Sequence, residues 1–122
     1  MNTIIEATKS SPKVELNPEG SMIISGRSII EDTIVFFRPI IEWVKEAKCS
    51  QITIEVRMEY MNTSSSKQML NVLKAVASNP NIRTIYVKWF YENDDEDMLE
   101  LGKDYESLIH IPFDFYEYYE AA

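Results

Sequence analysis

Apolar positions recur along this chain with two periods, and the changes from one to the other mark out its elements. "KVELNPEGSMIISG" alternates on either side of Asn17, Pro18 and Gly20, whose turn chemistry predicts two short strands joined tightly. "EDTIVFFRPIIEWVKEAK" then takes up helical spacing, with Ile34, Phe37, Ile41 and Val44 on one stripe and Phe36, Ile40 and Trp43 widening it. Ser28 and Asp32 are candidate caps, and Pro39, which removes one backbone donor, predicts a bend or a break. "QITIEVRMEYM" is the clearest strand: Ile52, Ile54, Val56, Met58 and Tyr60 fall on one face, Thr53, Glu55, Arg57 and Glu59 on the other. By that alternation Tyr60 points inward.

"SSKQMLNVLKAVAS" reads as a second helix burying Met69, Leu70, Leu73, Val76 and Ala77, stopped by "NPN" at 79–81. "IRTIYVKWFYE" is another strand, grouping Ile85, Val87, Trp89 and Tyr91, and "NDDEDMLELGKDYESL" is a third helix weakened by Gly102. The tail "IHIPFDFYEYYEAA" has room for a final short strand. The order is ββαβαβα(β) in one small α/β domain spanning 1–122, with 1–11 and 117–122 expected to be loose. A strand sandwiched between helical layers is apolar on both faces, whereas residues 51–61 are polar on one. The sequence therefore predicts a four- or five-stranded mixed sheet with its helices mainly on one face.

Composition narrows the classes. Twelve basic against 20 acidic residues give a net charge of -8, which repels phosphate backbones and anionic membranes and argues against nucleic acid as a partner. Cys49 is the single cysteine, so no intrachain disulfide can form, and a reducing cytoplasm is the expected setting for it as a semi-buried residue. "MNTIIEATKSSPK" lacks a signal-peptide core, and no stretch reaches membrane-spanning length, so no direct membrane insertion is expected. His110 is the only histidine, which leaves a zinc site or a Ser-His-Asp triad without its parts and gives His110 a structural or surface role. The three glycines are scattered, so no phosphate-cradling loop exists and no cofactor is expected. The acidic run Glu92, Asp94, Asp95, Glu96 and Asp97 lacks the glycine and distant glutamate of a calcium loop and reads as helix-start charge, with no metal site expected. The aromatic tail, Phe113 to Tyr119, fits a docking strand and a cover for the sheet edge equally well.

One feature exceeds its structural need. Asn62, Thr63, Ser64 and Ser65 stand in succession where the long strand meets the second helix. One such residue suffices as an N-cap. The C-terminal end of a central strand is where open α/β sheets place their sites, and a helix N-terminus tolerates a covalent phosphate well.

The stretch "RMEYMNTSSSKQML", supported by "EDTIVFFRPIIEWV" and "VKWFYENDDEDMLELG", resembles the SiaC-like biofilm-regulation phosphoproteins of bacteria over most of the chain. The wider pattern is similar to STAS domains, the fold of anti-sigma-factor antagonists, in which a phosphorylatable hydroxyl opens the helix after a central strand. Those antagonists usually carry an acidic residue where this chain has Asn62. The resemblance implies a non-enzymatic signalling protein phosphorylated on Thr63 by a serine/threonine protein kinase and restored by a metal-dependent, PP2C-type protein phosphatase. It implies that the dephosphorylated form binds and activates a diguanylate cyclase, raising cyclic-di-GMP and promoting biofilm. Asn62, Ser64 and Ser65 would surround the phosphosite, and Lys67 is either a phosphate partner or a solvated lysine. The alternatives are an anti-sigma-factor antagonist with the same switch, and a small enzyme using the cluster as nucleophile, for which no base is visible.

Overall fold

The computed structural model describes residues 2–119. Its elements are β1 (Thr3–Ile5), β2 (Lys13–Asn17), β3 (Ser21–Ser28), α1 (Thr33–Glu46), β4 (Gln51–Met61), α2 (Thr63–Ser78), β5 (Thr84–Glu92), α3 (Glu96–Ile109) and β6 (Phe113–Tyr118). The six strands lie side by side in chain order, the first two joints antiparallel and the other three parallel. From β3 onward each helix carries the chain one strand further in the same direction. Such crossovers are right-handed, so all three helices are delivered to one face of the sheet.

That face is the core. Met22 and Ile24 of β3, Ile52, Ile54, Val56 and Met58 of β4, and Val87 and Trp89 of β5 are sealed against Phe37, Ile40, Met69 and Leu73 of the helices. The opposite face carries the polar half of the alternation and is dressed by its own side chains. The Arg57 guanidinium lies 3.7 Å from the Phe90 ring centroid, and Phe90 stacks on Tyr116 at 4.9 Å.

The structure departs from the sequence reading in several places. The sheet has six strands rather than four or five: Thr3–Ile5, expected to be loose, pairs with β2 as an edge, and β6 runs through residues 117 and 118. The end of the tail, 120–122, lies outside the described residues. Tyr60 points outward, 49% exposed. The cause is a bulge: Gly26 pairs with Met58 and Arg27 with Tyr60, so Glu59 has no opposite number and the alternation flips, turning Met61 inward. Gly26 supplies the left-handed backbone there, with φ of 111°. Pro39 neither breaks α1 nor ends it; the carbonyl it leaves without a donor belongs to Val35, on the exposed side. The buried stripe of α1 is Thr33, Phe37, Ile40 and Val44, which leaves Ile34 58% exposed. In α2, Val72 is buried and Ala77 exposed.

Gly102 is a packing requirement rather than a weakness. A Cβ there would stand 2.6 Å from Nε1 of Trp89, whose indole N–H donates to the Met98 carbonyl at 2.9 Å. His110 ends α3 in the left-handed conformation, its amide donating to the Glu106 carbonyl.

Candidate functional site

The junction of β4 and α2 divides its polar residues among separate tasks. Asn62 is the N-cap: its Oδ1 accepts the Ser65 N–H at 2.9 Å, and its Nδ2 donates to the Ile30 carbonyl at 3.1 Å, clipping the β3–α1 loop to the helix start. Its own amide donates to the Ser28 carbonyl at 2.9 Å. Ser64 leans on the cap, its Oγ donating to Asn62 Oδ1 at 3.3 Å. Ser65 does not face the surface, contrary to a place in the phosphosite's surroundings. It is fully buried, and its hydroxyl shares a 2.7 Å hydrogen bond with that of Ser28, a tie between β3 and α2 inside the core.

Thr63 differs from all three. It is exposed at the first position of α2, and its hydroxyl has no hydrogen-bond partner among the described residues. Around it, the cap takes the Ser65 amide and the Asn62 carbonyl takes the Ser66 amide, so the Thr63 and Ser64 amides are the first-turn donors left over. No acidic side chain lies in the first turn of α2. Lys67, exposed, follows Thr63 by four residues, one turn along the same helix face. An added phosphate would meet amides, the positive end of the helix and a lysine.

This end of the sheet also carries apolar surface. Among the described residues, Ile29 in the β3–α1 loop, Ile34 and Val35 in the first turn of α1, and Tyr60 before the cap are all at least 43% exposed. Sequence reasoning misplaced Ile34 and Tyr60 in the core, because stripe and alternation were extrapolated through a helix phase and a bulge that the pattern does not display. Ser28 was visible only as a cap candidate. Tyr105 gave no signal at all, yet its buried phenol donates to the Ser66 carbonyl and fastens α3 to the start of α2; burial pushes its pKa up to about 12, against a smaller lowering effect of the Ser66 side chain.

Other candidates fall to structural work. In the acidic run, Asp95 caps α3 through Oδ1, accepting the Met98 N–H at 2.9 Å, and Glu96 and Asp97 fill its first turn. Among the described residues no three His, Cys, Asp or Glu side chains are grouped to hold a metal ion, and no helix is long and apolar enough to cross a membrane. The aromatic tail is the edge strand β6, with Phe113 stacked on Trp89.

An uncharacterised protein of Pseudomonas aeruginosa strain UCBPP-PA14 is 25% identical to this chain over 114 residues, 89% of this chain and 90% of its own length. SiaC of Pseudomonas aeruginosa, solved in complex with the diguanylate cyclase SiaD that it activates, superposes with a TM-score of 0.85 at 24% identity, over 95% of this chain and 99% of that one. Apo-SiaC from the same organism gives 0.82 at 24% identity, over 95% and 98%. The fold is therefore that of SiaC. A family model, that of the SiaC family regulatory phosphoproteins, matches residues 5–118, and this chain belongs to that family.

Proposed function

We propose that this chain is a non-enzymatic regulator switched by phosphorylation of Thr63. Unmodified, it binds and activates a diguanylate cyclase, raising cyclic-di-GMP and promoting biofilm formation; modified, it releases the cyclase. Membership in a family of regulatory phosphoproteins supports a covalent phosphate, and the cyclase-bound Pseudomonas SiaC supports the class of partner. The observation that carries the choice of residue is the Thr63 hydroxyl itself, exposed and unengaged beside Asn62, Ser64 and Ser65, whose side chains have structural duties.

The chemistry asks nothing catalytic of this chain. A serine/threonine kinase transfers the γ-phosphoryl group of ATP to Thr63 Oγ1, whose proton leaves to a base on the kinase while ADP departs. A PP2C-type phosphatase returns the group to water as inorganic phosphate. In the free protein the new charge of about -1.5 to -2 is well placed, the helix dipole returning roughly 0.3–1 kcal/mol per charge. In a complex the same dianion loses its water beneath a partner that meets Ile29, Ile34, Val35 and Tyr60. An unpaired interfacial charge costs about 2–5 kcal/mol, thirtyfold to several-thousandfold in affinity. The fold survives and the partner leaves.

The test is phosphorylation by the cognate kinase with ATP, followed by mass spectrometry. One phosphoryl group is expected on Thr63, absent from Thr63→Ala; label on Ser64 instead would move the site. Pull-downs with the alanine form then decide the partner: a cyclase supports this reading, and an anti-sigma factor would replace it.

A further inference from the structure

Two depressions, about 220 and 370 Å³, share Ile41 and Lys45 and so form one continuous groove between α1 and α2. Its floor is apolar, with Ile34, Ile41 and Ala75, and its head at Ile34 lies in the first turn of α1, at the same end of the sheet as the start of α2. Its charge is the reverse of the chain's. Acidic residues outnumber basic ones 20 to 12 overall, yet the groove is lined by Arg38, Lys45 and Lys74 against Glu42 alone. None of those three cations is in an ion pair among the described residues. Three unneutralised cations beside an apolar floor, on a strongly acidic protein, are matched by a ligand with the complementary pattern.

We propose that this groove is the docking site for an acidic amphipathic helix of the partner protein. Ile34 and Ile41 are seven residues apart, two turns, which suits a ligand helix presenting apolar residues at i, i+3 or i+4, and i+7. From Ile34 to Lys45 the groove runs roughly 16 Å, enough for about three turns. The groove's head lies at the end of the sheet where α2 begins, so a phosphate on Thr63 would add negative charge on the side an acidic helix occupies. The assignment of that helix to a cyclase rests on the regulator reading above; the groove's preference for acid does not.

Fluorescence anisotropy separates the two. The probes are labelled helical peptides of about 18 residues with one leucine stripe, flanked by glutamates in one and by lysines in the other. The unmodified full chain is expected to bind the glutamate peptide at least about tenfold more tightly, with an affinity that falls as salt rises. Lys45→Glu/Lys74→Glu, both exposed positions whose change leaves the core untouched, is expected to abolish or invert that preference. Absence of glutamate-peptide binding, or a preference indifferent to the double substitution, overturns the proposal. Titration with the cyclase reads the regulator function independently. A chain that takes the glutamate peptide but not the cyclase keeps the groove and loses the cyclase, while equal cyclase binding by wild type and double variant overturns the groove as its docking site.

Discussion

The N-termini of α2 and α3 are built from similar parts and left in opposite states. At α3 an acidic cap, Asp95, is followed by Glu96 and Asp97, and the turn is pinned from beneath by the Trp89 indole on the Met98 carbonyl. The positive end of that helix is already answered with charge. At α2 the cap is a neutral amide, Asn62, no acid follows in the first turn, and an unengaged hydroxyl stands at its first position. The difference is one of occupancy: α3 answers its helix dipole with acidic side chains of its own, while the first turn of α2 carries none.

The largest effect expected from this contrast is at Thr63. Thr63→Asp should weaken cyclase binding by about thirtyfold or more in calorimetric titration, while the folding free energy moves by less than about 1 kcal/mol in urea melts. Equal binding by the aspartate and alanine forms would remove α2 as the switch. Gly102→Ala probes the other helix. The new Cβ would press on Trp89 at 2.6–2.7 Å, and the fold should lose about 1–3 kcal/mol despite alanine's better helix propensity. Cyclase affinity of the folded fraction should stay within about twofold, since the new Cβ faces Trp89 and not the start of α2.

Tyr105 joins the regions. Its neutral form is favoured in the fold, with a pKa of about 12 against the ordinary 10.0. Its contribution is therefore intact below pH 10 and lost as pH rises towards 12, about 3 kcal/mol in all. Tyr105→Phe should flatten stability over that window in pH-dependent melts. The smallest effect is at the cap. Asn62→Asp makes α2 resemble α3 and improves the match to the dipole, yet a carboxylate cannot donate to the Ile30 carbonyl. A net loss of about 1 kcal/mol at neutral pH is expected in urea melts, and a gain would show that the loop clip is idle.

The scaffold was largely legible because its signals are local. Alternation placed β4 and β5, helical spacing placed the three helices, and the one-sided polarity of residues 51–61 announced helices on a single face. What escaped depends on partners distant in sequence. The three residues of β1 are too few to show a period, and only pairing with β2 makes them a strand. Tyr60 faces outward because of a mismatch with β3 that β4 alone does not encode. At the candidate site the surplus of hydroxyls was readable, but its division of labour was not. Ser65 looked like surface until Ser28, thirty-seven residues away, closed on it.

Because the Asn62 amide and the Ser28–Ser65 pair hold the junction between them, the threonine carries no share of the scaffold's tension. On the proposed reading, writing a mark on it and erasing it again would be events of the outer skin, with no unwinding to reverse before the next cycle. A switch so placed would be reset as quickly as its enzymes worked, and drift at that single position would leave the body of the molecule as it was.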